Sequence, residues 1–557
     1  MQYLILIPVA VIALIIWSKL SALRERKNHI ERLKREWGDV PAEEYTSEKL
    51  DSLQAYYRFV KDDRLDIDDI TWNDIDMDQI YMTVNNTQSS IGEEYLYALL
   101  RKPCFQEEEL KERNRLIKFF DQNEEARLLL QTKLHEIGKL RNISIFEYIN
   151  RLEAQKAESN LIHYFLDLGL LCSIGLIFVI PGLGGALTFT LAIVNIFHYY
   201  SCKAKIEHYL TVFPYIFRLL DSSKALIRKD IPEIKTYTDR LREDIKSFKK
   251  IEKGTFILAP KSGNGDILDA ILDYIRMLFH LDIIKFNSLL SFFKKNRAVL
   301  NRIFETVGYL DSMIATASFR NLLDYYCEPE LTKDKESRIA AVDLYHPLLD
   351  APVPNSITEE RSVLLTGSNA SGKSTFIKTL AINAILSQTI YTATAGSYHG
   401  NYFMICSSMA LRDNIFSSES YYIVEIKSLK RILDHVNPDI PVLCFIDEVL
   451  RGTNTLERIA ASSRILASLA KQNTFVFAAT HDIELTHILE KDFSNYHFQE
   501  RIEDHQILFD YKLYQGKAIS KNAIKLLDML GYPREITEAA EEAAGEFLTS
   551  GEWSNVN

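Results

Sequence analysis

Hydrophobic positions follow three different patterns along the chain. Tyr3 to Trp17 is almost wholly apolar, with one Pro, and is followed by Lys19, Arg24, Arg26 and Lys27. This run is slightly short against the roughly 17–25 residues of a spanning helix. Its charges follow the apolar stretch, whereas a cleaved signal peptide carries them in front. The pattern predicts an uncleaved membrane anchor over residues 1–20, with the N-terminus outside. A second apolar block, Leu161 to Tyr200, is broken at Pro181-Gly182-Leu183-Gly184-Gly185. It predicts two helices of roughly 16–18 residues around a tight turn. Such a hairpin either crosses the membrane or is buried in a helical core. Tyr199, Tyr200 and Lys203 at one end suit a membrane interface. From 203 to 335 the apolar positions recur at helical spacing. Beyond 336, short apolar runs that end in polar residues alternate with helical stretches, the pattern of an α/β domain.

Chemistry enters in that last region. Ser362 to Thr366 reads as a strand and Phe376 to Ser387 as a helix. Between them lies Gly367-Ser368-Asn369-Ala370-Ser371-Gly372-Lys373-Ser374-Thr375, which fits G-x-x-x-x-G-K-[ST]. Glycines allow backbone N–H groups to close around phosphate oxygens, and the helix N-terminus favours an anion. Lys373 supplies charge to the β- and γ-phosphates of ATP, and the Ser374 hydroxyl a ligand for Mg²⁺. Pro441 to Ile446 reads as a buried strand ending in Asp447-Glu448. There Asp447 is the candidate for the Mg²⁺ shell and Glu448 for the base that deprotonates the attacking water. A third strand, Thr474 to Ala479, delivers His481 to the same sheet edge, to sense the γ-phosphate or position water.

Taken together, these segments resemble the MutS mismatch-repair ATPases, a branch of the ABC-type ATPases. Thr366 to Thr375 carries the G-x-N form of the loop, which puts Asn369 among the nucleotide-binding residues. Ile446 to Thr455 resembles the D-E-x-x-R-G-T-x-T segment, and Ala479-Thr480-His481-Asp482 the A-T-H segment. Ser420-Tyr421-Tyr422-Ile423-Val424-Glu425 resembles the S-T-F-x-x-E loop, with Tyr-Tyr in place of Thr-Phe. The likeness runs from Leu344-Tyr345-His346-Pro347 to Arg534, and more weakly over Asp78 to Phe120, where Thr87 to Gly92 looks like the start of the helical core. It implies an ATP sandwiched between two ATPase domains of a homodimer, with Ser420 reaching the partner's γ-phosphate. It also implies DNA as a partner. The family's mismatch-reading and connector domains have no room before the helical core.

The expected organisation is an anchor (1–20), a charged juxtamembrane linker (21–75), a helical core (76–160), a transmembrane hairpin (161–202), a helical lever (203–335) and a P-loop, ABC-type ATPase domain (336–557). The ATPase would face the cytoplasm from a bacterial-type inner membrane. Net charge is −11, so bulk electrostatics do not favour nucleic acid. Lysines cluster at 246–253 and at 294–295, which suits a solvated helix face or a phosphate contact. Six scattered cysteines show no metal-ligand spacing, and no structural metal is expected. The acidic stretch Asp62 to Asp78 reads as a solvated linker. Two functions follow: a DNA-directed ATPase tethered to the membrane, or an anchored ATPase whose lever helices act on a protein or lipid. A transport ATPase fits less well, since the Ser420 loop lacks L-S-G-G-Q.

Overall fold

The computed structural model describes residues 17, 20, 21, 23–151, 158–210, 212–248, 274–334, 336–368, 371–409, 421–503, 506–518, 524, 527, 531–550 and 553. The expected anchor, apart from Trp17 and Leu20, lies outside them, as do Asn369, Ser420 and the lysines at 249, 250 and 253. The chain forms two compact units. One comprises residues 1–61, 81–101 and 111–322, the other 62–80, 102–110 and 323–557.

The first unit is helical. Its long helix Arg297–Leu322 packs on helix Ser90–Arg101. The two approach closely because the contact positions are glycines. A Cβ on Gly92 would stand 2.2 Å from Asp311 Oδ2, and one on Gly308 would stand 2.7 Å from Tyr95 Cβ. Buried Asp311 accepts hydrogen bonds from Ser89 Oγ at 2.6 Å and from the Ser89 and Gln88 backbone N–H groups at 3.0 Å each. It thereby satisfies the otherwise unpaired start of the shorter helix. The segment Thr87 to Gly92, singled out by family likeness, thus has a packing reason.

The apolar block forms two antiparallel helices, α1 (Leu161–Ile177) and α2 (Pro181–Leu210), followed later by α3 (Leu281–Lys295). The turn falls at Phe178–Ile180, earlier than the Pro-Gly stretch suggests. Pro181 opens α2, where its missing N–H costs nothing. Gly184 sits where a Cβ would be 2.4 Å from the Ile177 backbone nitrogen, so it allows the two helices to close at the tip. Large apolar side chains face outward along the hairpin: Phe165 is 72% exposed, Phe189 70%, Phe197 75% and Phe178 88%.

The second unit holds two sheets. A six-stranded sheet has the order β10-β9-β4-β8-β7-β6, from β4 (Ser362–Thr366), β6 (Met404–Ser408), β7 (Val442–Asp447), β8 (Thr474–Ala479), β9 (Phe493–Glu503) and β10 (Gln506–Gln515). All neighbours are parallel except β9 and β10. A four-stranded sheet has the order β1-β5-β2-β3, from β1 (Glu330–Thr332), β2 (Ile339–Leu344), β3 (Asn355–Glu359) and β5 (Ser397–Asn401). Strands β4 and β8 are buried along their whole length, as parallel strands covered on both faces must be. Helices α4 (Lys373–Thr389), α5 (Tyr421–Asp434) and α6 (Thr455–Ala470) belong to the same unit. Leu429 and Ile432 of α5 and Leu466 and Leu469 of α6 close one core over Leu364, Cys444 and Val476. Each such side chain contributes about 1.5–3 kcal/mol by leaving water.

The acidic stretch is no solvated linker. Asp69–Asp74 is a short helix, and Asp74 is buried, accepting from Ser407 Oγ at 2.6 Å and from the Met409 N–H at 2.9 Å. Asp68 pairs with Arg431, Asp66 with Lys102 at 3.2 Å and Asp76 with Lys378 at 2.7 Å. Composition alone does not reveal these partners, because most of them lie hundreds of residues away.

Candidate nucleotide site

The parallel strands bring three motifs to one edge of the six-stranded sheet. Strand β4 ends at Thr366 and passes into the Gly-rich loop. Gly367 has φ +145° and Gly372 φ +108°, both in the region that favours glycine. A Cβ on Gly367 would meet the Phe498 carbonyl oxygen at 2.7 Å and Ser371 Oγ at 2.9 Å. Gly372 caps α4, whose first residue is Lys373. The Lys373 ammonium donates to the carbonyls of Gly367 at 2.8 Å and Ser368 at 2.7 Å. Burial lowers its pKa, against the pull of Asp447 and Glu448. Among the described residues, buried Ser371 Oγ has no hydrogen-bond partner, an uncompensated polar atom inside the loop. Ser374 and Thr375 are exposed at the start of α4. An oxyanion fits this loop: its bare backbone, the orphan hydroxyl and the buried cation are all complementary to phosphate.

Strand β7 ends at Asp447, and the chain then turns sharply, with φ +58° at Glu448 and φ +60° at Leu450. Both carboxylate oxygens of Glu448 are engaged. Oε1 lies 3.0 Å from His481 Nε2, and Oε2 pairs with Arg451. Burial would raise the Glu448 carboxyl, but its bonds to His481 and Arg451 outweigh that and hold it down at about 2. Strand β8 lies between β4 and β7, and His481 follows it at the same end of the sheet. Behind it, Asp482 takes both arms of the Arg458 guanidinium, at 2.9 and 2.7 Å. A hollow of about 450 Å³ is lined by Glu448, Arg451, Arg458, His481 and Asp482.

Two further features escaped the sequence reading. Glu425 of α5 is 5% exposed, and its Oε1 accepts from the backbone N–H groups of Leu450 and Arg451. It pins the strained turn that carries Glu448. Its signal was the S-T-F-x-x-E likeness, which gave no role to that residue. The second feature is a cavity of about 370 Å³ beside the loop, lined by Tyr345, His346, Phe376, Phe498 and Tyr511 together with Gly372 and Thr375. Burial, helped by nearby Lys378, lowers the His346 pKa to about 4, so the ring is neutral at ordinary pH. Tyr345 and His346 fall in the quoted Leu344 to Pro347 segment. Phe498 and Tyr511 sit on β9 and β10 with no motif around them.

Residues 363–548 match MutS domain V. The human MutS protein homolog 4 is 30% identical over 286 residues, covering 48% of this chain and 30% of that protein. The DNA mismatch repair protein MutS of Leptospira interrogans is 27% identical over 293 residues, covering 50% and 34%. That of Methanosarcina mazei is 28% identical over 257 residues, covering 43% and 28%. The chain thus spans about a third of the length of the curated relatives it matches. The loop, the strand-end acids and the histidine all fall within residues 363–548, the part of the chain that matches MutS domain V.

Proposed function

We propose that this protein binds and hydrolyses ATP with Mg²⁺, as a dimer, and couples that cycle to DNA in a mismatch-repair-related role from a membrane tether. The observation that carries the ATPase reading is the convergence of the Gly367–Thr375 loop, Asp447-Glu448 and His481 at one sheet edge. The aromatic cavity beside the loop suits a purine base, with the phosphates over the backbone of Gly367 to Lys373. Lys373 exchanges its two carbonyl partners for phosphate oxygens, a stronger, charge-assisted pairing. Ser374 and Asp447 would hold Mg²⁺, which supplies charge neutralisation to the phosphates. Glu448 accepts the proton of the attacking water once His481 or Arg451 releases one of its oxygens. Tied at both, it is ionised but a poor base. Ser420 completes the partner's site in the dimer.

The DNA branch rests on the relatives, which are named as DNA mismatch repair proteins. The membrane branch rests on the hairpin. The stretch Pro181–Ala204 has 24 residues, mean hydropathy 1.3 in its apolar window and only 17% of that window buried. At about 1.5 Å per residue it is long enough for a hydrocarbon core of about 30 Å.

Lys373→Ala should lose ATP binding, while Glu448→Gln should bind ATP and not turn over. Hydrolysis by both variants sinks the ATPase reading. DNA binding by the detergent-solubilised protein should weaken steeply with salt. Absence of binding at low salt would leave the lever helices acting on a protein or lipid. For the hairpin, a cysteine at Gly182, where a Cβ has nothing within 4 Å, should react with an impermeant reagent from outside intact cells. One at Lys205 should not.

A further inference from the structure

The hairpin base holds a second convergence of ligating side chains, far in sequence from the ATPase motifs. His198 and Cys202 stand four residues apart on one face of α2. The antiparallel neighbour α1 brings His163 beside them. One ligand atom from each of the three lies within 4.8 Å of the others. Cys202 Sγ is 3.7 Å from His198 Nε2. Bonds of about 2.05 Å to nitrogen and 2.3 Å to sulfur at a tetrahedral centre set that separation at about 3.6 Å. The rings of His163 and His198 have centroids 5.1 Å apart. His163 is 2% exposed, and its buried Nδ1 has no hydrogen-bond partner among the described residues. A buried ring nitrogen left without a partner is costly, and native structures retain such an atom where something else satisfies it.

We propose that His163, His198 and Cys202 form a binding site for a borderline transition-metal ion, with Zn²⁺ the natural occupant. Imidazole and thiolate are the donors such an ion selects, and hard cations that require oxygen are excluded. Binding replaces the Cys202 S–H bond with a sulfur–metal bond and releases that proton to solvent, while both imidazoles bind neutral. His280 borders the site without joining it. Its Nδ1 lies 2.9 Å from Asp167 Oδ1 and its Nε2 3.2 Å from the Asn195 carbonyl oxygen, so both nitrogens are engaged. Three protein ligands leave the fourth tetrahedral position for water. The ion clips α1 to α2 at the base of the hairpin. Cysteine spacing along the sequence hid the site, because the third ligand is supplied by a different helix.

The test uses the full-length protein in detergent, stripped with a chelator and titrated with Co²⁺ as an optical stand-in. A thiolate-to-cobalt band in the near ultraviolet should saturate at about one ion per chain and be displaced by Zn²⁺. Cys202→Ser should abolish the band. His163→Ala and His198→Gln should each weaken Co²⁺ binding tenfold or more, with ATP binding on the same samples reporting an intact fold. A parent protein without the band overturns the site. So does a band that survives Cys202→Ser, since it then comes from one of the other cysteines. Unchanged affinity in a folded His163→Ala variant removes the inter-helix clip.

Discussion

Glu425 makes the most direct link between the helix after the Ser420 loop and Glu448, the proposed catalytic carboxylate. Glu448 and Leu450 both hold positive φ without being glycine. Strain of that kind costs about 1–3 kcal/mol per residue, so the turn stores roughly 2–6 kcal/mol. Against it stand two hydrogen bonds from the Leu450 and Arg451 N–H groups to the buried Glu425 carboxylate. Bonds to a charged group contribute about 1.5–3 kcal/mol each, roughly 3–6 kcal/mol together. The two sums nearly balance, so the turn holds its shape only while Glu425 is in place. Glu425→Ala removes both acceptors and leaves two backbone donors unpaired. The turn should then relax and carry Glu448 away from its place beside His481. We expect single-turnover hydrolysis to fall about 100-fold, the effect of misplacing a catalytic group by about an ångström. Because relaxation releases the strain as the bonds are lost, stability should drop by only about 1 kcal/mol in denaturant titration. Equilibrium binding of a fluorescent ATP analogue should be unchanged, because the phosphate loop lies on a different strand. Glu425→Gln keeps an uncharged oxygen acceptor and should lose about tenfold. Hydrolysis by Glu425→Ala within twofold of the parent would refute the argument.

Three other perturbations test separate contacts. Arg451→Ala frees Glu448 Oε2, so the carboxyl should rise from about 2 toward the ordinary glutamate range and the acid limb of the pH–rate profile should move up by about a unit; an unmoved limb would show that Arg451 does not tune it. The folded-state pKa of His346, about 4, lies below its ordinary 6.5, so the unfolded chain binds more protons between those values. Stability should therefore rise with pH across that window, by about 1–2 kcal/mol from pH 5 to 7.5, and His346→Asn should flatten that part of the curve in urea titrations. Gly92→Ala places a methyl against Asp311 and should cost about 3 kcal/mol, and an unchanged denaturation midpoint would contradict the close helix crossing.

The motifs of the candidate nucleotide site were visible in the sequence because they are local. A phosphate loop needs a strand, glycines at fixed spacing and a helix start within one short segment. Strand β8 falls at its expected residues, β7 runs from Val442 to include Asp447, and α4 begins three residues before the expected helix, at Lys373. The two apolar hairpin helices were also legible, since length and hydropathy are properties of single segments. The hairpin turn was misplaced because Pro181 serves as a helix start there and not as a break.

What the chain could not disclose by itself are pairings between distant segments. The Asp62 to Asp78 stretch looks like a solvated linker until Ser407 and Arg431 arrive to take Asp74 and Asp68. Glu425 has no visible role until the end of β7 turns back beneath it. Phe498 and Tyr511 line the cavity beside the loop only because β9 pairs with β4 on one side and β10 on the other. His163 meets His198 and Cys202 only through the packing of α1 on α2. In each case a side chain's environment, and hence its charge state and its chemistry, is set by neighbours that sequence order does not name. Local periodicity fixes which element forms, while the sheet order and the helix crossings fix which groups meet.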